Sequence, residues 1–272
     1  MVDIPHVERI VNMQRYVRVR YQGVIYYGII NDDQVELLEG NNPESFTKLG
    51  VQVPLSEVEK LIPCEPQKII CSGLNYTDTV LEEGAKWPKV PLIFLKPPTA
   101  MIGDGQEIHK NGMVEWLNCE AELGVVIGKD CKYVSKEQAM DYVWGYIAAN
   151  DITAKDLQKA DTLWTRAKSF DTFLPLSDEI VSGIDGGDLD VSCYINDQQV
   201  QKGNTRDLLF DISTLISFCS TVMTLKAGDI IITGTPGGYG KHIVDGDVVR
   251  IEIDKVGKVT NTVKYVDYNW AL

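Results

Sequence analysis

Asn118-Cys119-Glu120-Ala121-Glu122-Leu123-Gly124-Val125-Val126-Ile127-Gly128 places two acids two residues apart and then runs straight into an apolar stretch. Residues i and i+2 of a strand point to the same face. The pattern therefore predicts a buried strand from whose start Glu120 and Glu122 project together. Like charges held side by side near apolar surroundings are costly unless a cation neutralises them. Oxygen ligands suit a hard divalent ion such as magnesium, calcium or manganese. A second apolar run, Val143-Trp-Gly-Tyr-Ile-Ala-Ala-Asn150, ends at Asp151 and supplies a third carboxylate. Three such ligands leave coordination positions for water and a chelating substrate. On spacing alone an E-x-E also suits the solvated face of an edge strand, and both readings stand at this point.

The rest of the chain narrows the class of partner. Against 39 Asp and Glu there are 26 Lys and Arg in 272 residues, a net charge of −13 spread along the sequence. That argues against nucleic acid or an anionic membrane as partner. An anionic small molecule stays open, because a bound cation can reverse the local field. Cysteines 64, 71, 119, 131, 193 and 219 form no C-x-x-C pair and no zinc spacing. They read as reduced core residues of a cytoplasmic protein. No apolar run approaches a membrane span, and the opening residues lack the pattern of a signal peptide.

Alternation over Tyr16–Tyr21 and Val24–Ile30 about a Gln22-Gly23 turn predicts a hairpin, with a further turn at Asn31-Asp32-Asp33. Ser56–Leu61 suits a short helix. A Pro63–Pro66 punctuation then divides the chain into a small β-rich unit, 1–62, and a main domain, 63–272. In the main domain strands are expected over 68–71, 92–96, 121–127, 191–195, 229–233 and 248–253. Helices are expected after a capping-box pattern at Ser135–Gln138 and after Asp211 as N-cap. The strands do not alternate regularly with helices, so a mainly antiparallel α+β architecture is predicted over a doubly wound sheet.

A series of segments then resembles the fumarylacetoacetate hydrolase superfamily. They are Gly73-Leu-Asn-Tyr76, Phe94-Leu-Lys-Pro-Pro98, the 120–128 stretch, Gly145 to Asp156, Lys168 to Phe173, Gly228 to Gly238 and Gly246-Asp-Val-Val249, in the expected order. The resemblance spans about 68–266 and implies a mixed β-roll carrying a small N-terminal domain. It implies Glu120, Glu122 and Asp151 as ligands of magnesium or manganese, and a homodimer. It further implies that Lys168 touches the substrate oxygens, that the Thr235 hydroxyl binds a substrate carboxylate, and that Gln158 lies close by. Lys155 stands where many members have arginine, which keeps the charge but loses the bidentate grip.

One position departs from the family pattern. Its hydrolases commonly read Asn-Tyr-x-Asp-His-x-x-x-Glu, in which histidine and glutamate activate water under a closing lid. Here Asn75-Tyr-Thr-Asp-Thr79 is followed by Glu82 and Glu83, so an acid survives and the histidine does not. None of His6, His109 and His242 matches the missing position. Threonine is no general base at neutral pH.

The expected activity is therefore metal-dependent C–C bond cleavage in a 2-oxo or β-diketo acid, by hydrolysis or decarboxylation. Isomerisation of a 2-hydroxy-dienoate is the alternative, and a non-catalytic metal- and ligand-binding homologue is the remaining reading. Lys168, Glu82 and Glu83 are the candidate catalytic residues, with Asn75–Trp87 as the expected lid. No phosphate loop, dinucleotide fingerprint, G-x-S-x-G elbow or H-E-x-x-H is present.

Overall fold

The protein is described by a computed structural model covering residues 12–267; His6 lies outside the described residues. The chain opens with the predicted hairpin. Strands β1 (Gln14–Tyr21) and β2 (Val24–Asn31) meet at Gln22 and Gly23, whose φ angles are 49° and 82°. A two-residue hairpin turn that follows the strand twist requires positive φ at both positions, which glycine adopts without strain. β3 (Gln34–Glu39) and β4 (Thr47–Pro54) extend the sheet outward. One face buries Val17, Val19, Val35, Leu37 and Val53. On the other, Tyr16, Tyr27 and Phe46 pack their rings against Trp144.

That aromatic contact belongs to a longer continuity. β1 pairs antiparallel with Glu179–Ser182, so the N-terminal strands extend the main sheet instead of standing apart from it. The order continues through Val143–Asn150, Ala121–Ile127, Ile230–Ile232, β6 (Ile69–Gly73) and β7 (Leu92–Lys96). At the seam Glu179 accepts from Arg15 at 2.9 Å and from Lys60 at 2.7 Å. Burial pushes its carboxyl up, but the two cations outweigh it and hold the group below the usual range.

Strand Ala121–Ile127 is buried along its whole length, which accounts for its unbroken apolar run. Ala121, Leu123, Val125 and Ile127 belong to the core shared with Val191, Cys193, Val249 and Ile251 of a second, five-stranded sheet. Val126, on the opposite face, packs with Ile147, Ile230 and Ile232. Most pairings are antiparallel. Ile230–Ile232 and β6 run parallel, anchored by the buried Asp229. Its carboxylate accepts from the backbone N–H of Gln67 and Lys68 at 3.1 Å and of Lys226 at 2.8 Å, and pairs with the Lys68 ammonium. The strand-dominated α+β class is as the sequence predicts.

Helices follow the sequence reading in part. α1 (Thr77–Glu82), α2 (Lys155–Ala160) and α3 (Thr165–Lys168) are short. α4 (Ile212–Val222) begins as expected, with Asp211 accepting from the Thr214 N–H at 2.8 Å. The segment Lys136–Tyr142 differs from expectation: it is a 3-10 helix, and Ser135 makes no backbone cap. The strand Val143–Asn150 begins directly after it and claims Val143, so the expected helix ends at Tyr142. Within 56–61 the expected helix is reduced to a 3-10 turn at Leu55–Glu57. β5 (Glu59–Leu61) follows, captured by the backbone of β1. All six cysteines are buried and unpaired. Among the described residues no helix is long and apolar enough to cross a membrane.

Candidate active site

Antiparallel pairing sets Ala121 opposite Asn150, so the acids that open one strand and close the next stand side by side. Asp151 N–H donates to the Glu120 carbonyl at 2.9 Å, and Glu120 N–H to the Asn150 side chain at 3.0 Å. Carboxylate oxygens of Glu120, Glu122 and Asp151 lie within 4.8 Å of one another, all three side chains being buried. The solvated-face reading of the E-x-E does not hold.

Two ammonium groups enter from other elements. Lys168, closing α3, donates to Glu120 Oε2 at 2.9 Å and Asp151 Oδ2 at 2.6 Å. Its ammonium also sits 5.0 Å from the centre of the Phe94 ring. Burial would lower the Lys168 pKa, but Asp151 and Glu120 outweigh it and the group is pushed up. Lys96, ending β7, pairs with Asp151 and donates to the Ile152 carbonyl at 2.9 Å. For Lys96 burial prevails and its pKa falls. Asp151, between both lysines, is held below the usual carboxylate range although burial opposes this.

Glu122 is in a different position. It accepts one hydrogen bond, from the Gly234 N–H at 2.5 Å, and has no ion pair among the described residues. Burial first, then Asp151 and Glu120, push its carboxyl well above the usual value. Once Glu122 is ionised, three carboxylates faced by two ammonium groups leave one negative charge uncompensated. An all-oxygen donor set with that excess charge fits a hard divalent cation. Gly234 is held at φ +102°, where a Cβ would stand 2.9 Å from Asn75 Cβ and 3.1 Å from the Ser72 carbonyl. Glycine is needed there for the backbone to reach Glu122.

The triad and Lys168 floor a cavity of about 170 Å³ walled by Ser72, Gly73, Phe94 and Trp164. Thr79, Glu83, Lys155, Gln158, Thr235 and Tyr239 also line it. Lys155 meets Glu83 at 3.0 Å and the Tyr239 hydroxyl at 3.4 Å, and that hydroxyl also bonds Glu83. Glu82 is not in the lining; its carboxylate accepts from the Gly238 N–H at 2.7 Å. The Thr235 hydroxyl donates to the Ala121 carbonyl and accepts from Gln201, both at 3.0 Å. Thr79 donates to the Thr235 carbonyl at 2.6 Å. Neither His109 nor His242 lines the cavity.

Lys96, Ser72, Trp164 and Tyr239 were not singled out from sequence. A lysine closing the apolar run Leu92-Ile-Phe-Leu was the available signal for Lys96. It shares a strand face with Phe94 and so had to bury its charge beside an acid. The other three carry no such mark.

Residues 68–264 match the family model for the fumarylacetoacetate (FAA) hydrolase C-terminal domain. The chain belongs to the fumarylacetoacetate hydrolase family. Residues 14–63 match a model described as Rv2993c-like, N-terminal. A relative from Archaeoglobus fulgidus is 48% identical over 218 residues, covering 80% of this chain and 87% of its own. The oxaloacetate tautomerase fahd2, mitochondrial, of Xenopus laevis is 39% identical over 220 residues, 76% of this chain and 69% of its own. Among solved structures, the 5-carboxymethyl-2-hydroxymuconate delta-isomerase of Mycobacterium smegmatis superposes with a TM-score of 0.87 at 36% identity. That match covers 93% of this chain and 100% of the other. The chain is thus a member of an enzyme family that includes tautomerases and isomerases.

Proposed function

We propose that this protein is a divalent-metal-dependent isomerase that interconverts the enol and keto forms of a small 2-oxo acid. The observation carrying this reading is at Thr79. Where the family's hydrolases keep a histidine, a threonine hydroxyl is bonded to the Thr235 carbonyl, and among the described residues no histidine lines the cavity. In those hydrolases histidine and glutamate activate water together, and threonine cannot take the histidine's part. Tautomerisation needs only a proton moved between carbon and oxygen. The tautomerase and isomerase relatives support the same choice.

Glu120, Glu122 and Asp151 would hold magnesium or manganese, which when bound polarises a carbonyl and favours the enolate. Lys168 keeps its charge between two carboxylates, so it serves as a fixed cation for substrate oxygens and not as a base. Glu83 would carry the proton, with hydrogen bonds from Tyr239 and Lys155 to orient it. Gln158 contributes a neutral amide to the same lining. Decarboxylation of a 2-oxo acid is the second reading, because it too dispenses with a water-activating base.

Enol–keto relaxation of oxaloacetate, followed by NMR with magnesium or manganese added, tests the reading. Relaxation should accelerate with the protein and lose that acceleration on chelation. Carbon dioxide release ahead of tautomer exchange would favour decarboxylation. Acylpyruvate hydrolysis faster than either would refute the isomerase assignment.

A further inference from the structure

Four residues with side-chain hydroxyls line the cavity: Ser72, Thr79, Thr235 and Tyr239. Three already donate their hydrogens within the protein. Thr79 donates to the Thr235 carbonyl, Thr235 to the Ala121 carbonyl and Tyr239 to Glu83. Ser72 Oγ has no hydrogen-bond partner among the described residues, although the residue is only 2% exposed. Among the described residues, no other with an unpartnered buried side-chain polar atom lines this cavity. Ser72 sits on β6, one residue before Gly73 and opposite Ile93 of β7, a rigid place for a small polar group.

A buried hydroxyl without a partner costs folding free energy, commonly about 1–3 kcal/mol for such groups. That cost is offset when a ligand supplies the missing acceptor. The cavity floor carries Lys168, and the proposed substrate is an anion of two or more oxygens. We infer that Ser72 donates a hydrogen bond to an anionic oxygen of the bound 2-oxo acid. This inference rests on the isomerase reading and refines it. The role of hydroxyl donor, which the resemblance implied for Thr235, passes to the side chain whose hydrogen is free. Thr235 instead braces the loop against the strand Ala121–Ile127.

The test compares wild type with Ser72→Ala by calorimetric titration of oxalate into magnesium-loaded protein. Magnesium binding alone and the melting temperature of metal-free protein are measured beside it. Oxalate should bind about ten- to hundred-fold more weakly to the variant, the effect of one hydrogen bond to a charged group. Magnesium affinity should be unchanged. Melting temperature should hold or rise, because the hydroxymethyl side chain becomes a methyl group and an unpartnered buried hydroxyl is removed. Unchanged oxalate affinity, or no oxalate binding by wild type, would overturn the inference. So would a magnesium affinity that falls as far as the oxalate affinity, or a melting temperature several degrees lower. If wild type fails to accelerate tautomer exchange while the oxalate difference persists, the isomerase reading falls and the Ser72 assignment stands.

Discussion

Replacing Glu122 with glutamine should make the metal-free protein more stable while removing most of its affinity for metal. Glutamine keeps the shape and presents an amide oxygen to the Gly234 N–H, which Glu122 now engages at 2.5 Å. What disappears is a charge held at 2% exposure, with two other carboxylates close enough for oxygens of all three to fall within 4.8 Å. At an effective dielectric of 20, one unit charge at that distance contributes about 3–4 kcal/mol. Lys168 and Lys96 offset Glu120 and Asp151, so only part of that repulsion is felt. A net gain of about 1–3 kcal/mol is the scale for relieving one uncompensated buried group. For a chain of this size that raises the melting temperature by roughly 2–4 °C per kcal/mol. Removing a group that merely supports a ligand costs about 10–100-fold in metal affinity, and losing a ligand should exceed this. Differential scanning calorimetry in chelator gives the first quantity, and magnesium or manganese titration gives the second. A metal-free variant less stable than wild type, or one that binds metal equally well, would show that Glu122 is not the uncompensated ligand.

The same group sets a pH dependence. Its folded pKa is raised, so its stability contribution is fully present below the ordinary value of 4.5 and is lost as pH rises through the folded value. The melting-temperature gap between metal-free Glu122→Gln and wild type should therefore vanish below about pH 4.5 and widen above it. A gap that narrows with rising pH would reverse the sign and refute the argument. Metal uptake by wild type at a pH between the ordinary carboxyl value and the raised folded one should release protons, which calorimetry in buffers of different ionisation enthalpy would detect; Glu122→Gln should release fewer. Asp229→Asn should destabilise by about 2–4 kcal/mol in urea unfolding, since it weakens a buried carboxylate that three backbone N–H groups and the Lys68 ammonium share. Thr79→Val should lower stability by about 1 kcal/mol through loss of the bond to Thr235, yet keep enol–keto exchange, because no proton passes through that hydroxyl. Exchange abolished in a folded Thr79→Val protein would place Thr79 in the chemistry.

The strand carrying Glu120 and Glu122 was legible because it is buried on both faces. Its apolar run and the polar start of that run are local facts of sequence. Asp151 was legible for the same reason, and α4 through the spacing behind its Asp211 cap. Lys136–Tyr142 was not, because a capping pattern says how a helix would begin and nothing of the strand that takes its last residue. β5 was misread since its conformation comes from β1, some forty residues away. The division near residue 62 marks a change of local pattern, whereas the pairing of β1 with Glu179–Ser182 depends on a strand from the far half of the chain. The hydroxyls show the same limit. Which of Ser72, Thr79 and Thr235 keeps a free hydrogen depends on carbonyls and amides that only the folded loop brings near.

The parallel pairing of β6 with Ile230–Ile232 fixes when the centre can come into being. Gln67 waits for Asp229 across 162 residues, Thr79 for Thr235 across 156, and Glu122 for Gly234 across 112. Contacts of such separation form late, because the entropy of closing the intervening chain is lost before the contact returns anything. A chain emerging from the ribosome holds Glu120, Asp151 and Lys168 long before it holds the loop that walls them in. Acids alone on a growing chain make a weak and unselective trap for cations. If the triad holds a metal, its selective form needs the final third of the chain to close the sheet, so tight metal uptake during refolding should report the last act of folding.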